Sequence, residues 1–76
     1  MKTDKQILEW QIELTKRDLL MTKARIAFLE RKVLALGEEP QLRSGLAEAQ
    51  SQKEYLLDML DIYFDMLKKE NDKQKV

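Results

Sequence analysis

From Lys5 to Leu36 the chain carries apolar residues on two faces at once. One stripe, Leu8, Ile12, Thr15, Leu19, Thr22, Ile26, Leu29, Val33 and Leu36, advances in alternating steps of four and three, interrupted only by two threonines. A second, Ile7, Leu14, Met21, Phe28 and Ala35, repeats every seven residues, with Trp10, Leu20, Ala24, Ala27 and Leu34 beside it. Both spacings are those of a helix. On a helical wheel the stripes lie nearly opposite each other. Glu9, Lys16, Lys23 and Glu30 separate them on one flank, Gln11, Asp18, Arg25 and Lys32 on the other. A surface helix shows one apolar stripe, whereas a helix apolar on several sides is covered on several sides. The first helix is therefore expected to form a middle layer, with a second helix on one face and another body on the other.

The ends of this helix are marked. Thr3 followed by Gln6 fits a capping box, and Asp4 suits the positive end of the helix dipole. Gly37-Glu38-Glu39-Pro40 is the only strong breaker cluster in the chain and lies almost at its middle. Gly is favoured just past a helix end and Pro in the first turn of the next helix. The order is helix 1 over about 4–36, a turn at 37–40, helix 2 over about 41–70, and a charged tail at 71–76 expected to fray, all in one domain.

Helix 2 begins weakly. Leu42, Leu46 and Ala49 keep the period, but Gly45 and the polar Arg43, Ser44, Gln50, Ser51 and Gln52 dilute it. From Tyr55 to Leu67 ten of thirteen residues are apolar, and the exceptions, Asp58, Asp61 and Asp65, share one narrow face with Glu54. Folding at the turn sets Ile12–Leu19 against 57–65 and Leu29–Leu36 against the polar start of helix 2. The better packing is expected at the open end, where Trp10, Tyr55, Tyr63 and Phe64 collect. Lys16, Arg17 and Lys23 are expected to face Glu54, Asp58 and Asp61.

Composition narrows the assembly and the chemistry. Seventy-six residues support one small domain. With no Cys and no His, disulfides are impossible and ordinary zinc or haem sites lack ligands. Oligomerisation is the stabiliser that remains for a chain this small. Fourteen basic and fourteen acidic residues cancel, unlike the basic footprint of a nucleic-acid binder. Lys23, Arg25, Arg31 and Lys32 form a basic cluster that could meet phosphates, but Glu30 dilutes it and the whole chain is neutral. The apolar runs are far shorter than a membrane span, and Met1 to Lys5 lead into an amphipathic stretch without a leader-like apolar core, so a cytoplasmic location is expected.

The row Glu54, Asp58, Asp61, Asp65 reads as a solvated face. Helical di-iron sites pair inward glutamates with histidines, and none exist here. No phosphate loop, His-activated nucleophile or EF-hand pattern is present. Neither a cofactor nor enzyme activity is expected. The aromatic group Trp10, Phe28, Tyr55, Tyr63 and Phe64 reads first as core, with an interface as the competing reading because Trp and Tyr are favoured at hot spots.

The expected fold is thus all-α, a coiled-coil-like antiparallel two-helix hairpin assembling into a homodimeric four-helix bundle or a higher oligomer. The expected function is protein–protein interaction through the second apolar face of helix 1, with Ile7, Trp10, Leu14, Met21, Phe28, Tyr55, Tyr63 and Phe64 as interface residues. The alternative is a small regulator or inhibitor that presents this face to a different protein.

Overall fold

The computed structural model describes residues 2–73. Helix α1 spans Asp4–Leu36 and helix α2 spans Pro40–Lys73, and the two pack on each other as a hairpin. No strand occurs among the described residues. The hairpin is long and thin, 59 × 18 × 15 Å.

The start of α1 follows from its first residues. Thr3 Oγ1 accepts from the Gln6 backbone N–H at 3.2 Å, and Gln6 Oε1 accepts from the Thr3 backbone N–H at 3.0 Å, a closed capping box. The end of α1 is set by Gly37. Its φ of +86° with ψ near −179° lies outside the left-handed helical well and in a region essentially restricted to glycine. There its N–H still donates to the Val33 carbonyl at 2.8 Å. The Glu39 N–H donates to the Gly37 carbonyl, and the Glu39 carbonyl accepts from Arg43, which starts α2 at Pro40. α2 runs through Asn71 to Lys73, past the expected end near residue 70. The rest of the expected tail, 74–76, lies outside the described residues.

The first apolar stripe of α1 is the one that meets α2. Leu8, Ile12, Thr15, Leu19 and Ile26 are buried, whereas Thr22, Leu29 and Val33 are half-buried and Leu36 is exposed beside the turn. The two threonines fit because each hydroxyl donates to its own helix: Thr15 to the Gln11 carbonyl at 2.7 Å and Thr22 to the Asp18 carbonyl at 2.8 Å. α2 answers with Leu42, Leu46, Ala49, Lys53, Leu56, Leu60, Tyr63, Leu67 and Glu70, again in steps of four and three. Ala49 and Leu56 are the buried members. Burial runs from Leu8 to Ile26 on α1 but is centred on Ala49 and Leu56 on α2, whose open-end residues Leu60, Tyr63 and Leu67 are half-buried, and it thins toward the turn.

Two expectations are corrected. The aromatic residues do not collect in the core: Trp10, Phe28, Tyr55 and Phe64 are exposed, and only Tyr63 lies half-buried in the seam. Nor do basic residues of α1 pair with acidic ones of α2. The four ion pairs among the described residues are Lys16–Glu13, Arg43–Glu38, Lys69–Asp65 and Lys73–Glu70, and none joins the two helices. The reason is angular. Glu54 and Asp61 follow the seam residues Lys53 and Leu60 by one position, and Asp58 and Asp65 follow Leu56 and Tyr63 by two, which turns all four toward the back of α2, and all are exposed.

Candidate interaction surface

The hairpin has two backs of opposite character. The back of α2 is the acidic row Glu54, Asp58, Asp61 and Asp65. Among the described residues no three acidic side chains converge as a cation site would need. The back of α1 is apolar. It is built by residues that alternate in steps of three and four: Ile7, Trp10, Leu14, Arg17, Met21, Ala24, Phe28, Arg31 and Ala35. This is the spacing of a coiled-coil seam, repeated on the side that faces no helix. Trp10 is 53% exposed, Met21 65% and Phe28 57%. Ile7 is exposed as well, while Leu14 is half-buried. Leu20 and Leu34, at 70% and 88%, widen the face along one edge.

Cations lie over the aromatic rings of this face. The Lys2 Nζ is 5.3 Å from the centre of the Trp10 ring, and the Lys32 Nζ is 5.5 Å from that of Phe28. Contacts of this kind are worth about 0.5–1 kcal/mol at exposed sites, so they shield the rings without fixing them. Arg25 and Arg31 are exposed beside them, as is Lys23 on the far flank. The basic cluster of the sequence is therefore spread around the apolar face and does not form a separate patch.

The expected interface residues fall into three places. Ile7, Trp10, Leu14, Met21 and Phe28 share the back of α1. Tyr55 and Phe64 lie exposed on different edges of α2, with Phe64 beneath Lys16, whose Nζ is 5.8 Å from the ring. Tyr63 belongs to the hairpin's own seam. The structure also exposes Leu57, Ile62 and Met66. Met66 lines an open groove with Asp4, Ile7, Leu8 and Glu70 at the open end of the hairpin. The signal for these three was the four-three spacing of the α2 seam, which passes between them. It is masked where ten of thirteen residues are apolar.

The accessible surface is 6235 Å² for a 9.0 kDa chain. A compact folded monomer of that mass exposes about 4,850 Å², so this hairpin exposes about 1,400 Å² more. Among the described residues, twelve large apolar side chains contribute to it.

Among the described residues no helix is long and apolar enough to cross a membrane. Comparison with protein-family models, with curated proteins and with solved structures gave no match.

Proposed function

We propose that this chain is a non-enzymatic helical interaction module that self-associates through the outward apolar face of α1. The observation that carries the proposal is the second seam itself. Ile7, Trp10, Leu14, Met21 and Phe28 repeat a coiled-coil spacing on a face that nothing in the hairpin covers. Solvated, such a face is a liability to a neutral protein. Covered, it supplies the apolar burial that a two-helix hairpin lacks.

Association that supports folding makes the melting temperature depend on protein concentration. The proposal is tested by sedimentation equilibrium together with melting curves over a hundredfold concentration range. The expected result is an oligomer at micromolar concentration with a melting point that rises on concentrating. Phe28→Ala and Met21→Ala should lower both association and melting point, although neither side chain contributes to the hairpin's own core. A monomer whose melting point is independent of concentration would refute the reading.

A further inference from the structure

The residues around the α1 seam are arranged to fit a second copy of the same helix, run the opposite way. We infer that the partner is a second copy of this chain, packed back to back and antiparallel through α1, with the two-fold axis near Met21 and the turns at opposite ends. This rests on the self-association proposed above and adds to it the orientation and the pairing.

Three observations carry it. The first is symmetry of content about Met21. Reversing the helix about that residue sets Leu14 against Phe28, Ile7 against Ala35, and Met21 against itself, so large apolar pairs fill the middle of the seam and a large–small pair closes each end. The same reversal brings Trp10 level with Lys32 and beside Arg31, both cations suited to a cation–π contact. A two-fold contact requires this kind of self-complementarity, because each surface meets its own copy.

The second observation is charge. Along the edge formed by Asp4, Gln11, Asp18, Arg25 and Lys32, acidic residues come first and basic ones last, and all but Gln11 are exposed. Antiparallel packing sets Asp18 beside Arg25 of the partner twice over and brings Asp4 toward the partner's Lys32 end. Parallel packing would set this edge against the partner's other edge, Glu13, Leu20, Ala27 and Leu34, so Asp18 would meet Glu13 while Arg25 and Lys32 would meet no acidic residue. Like charges facing across an interface disfavour that arrangement and select the other. The back of α2 offers no rival contact between copies, since its row of carboxylates would meet an identical row.

The third observation is area. The excess of about 1,400 Å² per chain exceeds the roughly 800 Å² per partner of a standard stable interface. One isologous contact along a helix of 33 residues can absorb the greater part of it. A head-to-tail contact between the acidic back of α2 and the basic end of α1 would leave the α1 seam open and propagate into a filament.

The test uses charge reversal and one label. Asp18→Arg alone and Arg25→Asp alone should each weaken the dimer by roughly tenfold, since each turns two attractions into repulsions. The double variant Asp18→Arg/Arg25→Asp should recover to within about threefold of the parent, and a mixture of the two single variants should form the mixed dimer in preference to either homodimer. The chain has no cysteine, so Glu38→Cys gives one site for a spin label in the turn. The antiparallel geometry sets the two labels about 50 Å apart, from the rise of an α-helix, whereas a parallel pair would bring them within about 20 Å. A short label distance, single reversals without effect, or a mass above the dimer overturns this geometry while self-association stands. A monomeric parent chain overturns both. Asp18 and Arg25 are exposed and stand outside the hairpin seam, so loss of helix at millimolar concentration in a single variant would also count against this placement.

Discussion

Two glycines show how much one residue's surroundings decide. Gly37 holds φ at +86° and nothing lies within 4 Å of where a Cβ would stand. The objection to a side chain there is wholly in the backbone, and Gly37→Ala should cost about 1–3 kcal/mol. Gly45 is an ordinary helical residue, and its added Cβ would meet the Leu29 methyls at 3.8 and 3.9 Å, normal contact. Gly45→Ala should therefore stabilise by about 1 kcal/mol through helix propensity alone. Melting curves of the two variants at one fixed concentration should move in opposite directions from the parent. Shifts of the same sign would contradict the environments described. Thr15 makes a related point, being buried yet satisfied by its own backbone.

At the scale of the helix, the seam of α2 contains a residue that its composition hides. Lys53 takes a half-buried seam position between Ala49 and Leu56 and makes no ion pair among the described residues. It falls at about the level of Thr22, so the middle of the hairpin is a polar layer between apolar ones. A polar seam residue lowers stability and fixes register, because only one alignment lets it reach water. Lys53→Leu should raise the melting temperature and broaden the distribution of oligomers seen by sedimentation; an unchanged melting point would show that Lys53 already snorkels without cost. The capping box, the turn and the choice of α1 stripe were legible in the sequence because each rests on local spacing. The position of the aromatic residues was not. Between Tyr55 and Leu67 nearly every position is apolar, so composition cannot say which side faces α1, and only the full four-three count from Leu42 to Glu70 does. The interhelical ion pairs failed for the same reason. Charge balance along the chain suggests partners, but the angle around each helix decides whether they can meet.

For the molecule as a whole, the distribution of burial along its length matters more than its total. Leu8, Ile12, Thr15 and Leu19 are buried in the open half and Ile26, Ala49 and Leu56 nearer the middle, whereas Leu36 and Leu42 near the turn are exposed or half-covered. Amide hydrogen exchange should accordingly be fastest from Leu36 to Leu46 and slowest in the stretches around Ile12 and Leu56. Uniform protection along both helices would contradict the gradient. The same gradient bears on how the chain folds. At the open end the helices join residues more than 50 positions apart, Leu8 with Met66 and Ile12 with Phe64, and closing a loop of that length costs about 2 kcal/mol more than closing the tight turn. Zippering outward from the turn would begin where there is least to gain, and it gains little until it reaches the buried Ile26 and Ala49. Close-range connectivity is then dispensable. A few residues inserted at Glu38 should be tolerated, since each doubling of the loop adds only about 0.6 kcal/mol, while trimming the first two turns of α1 should leave the chain unable to close.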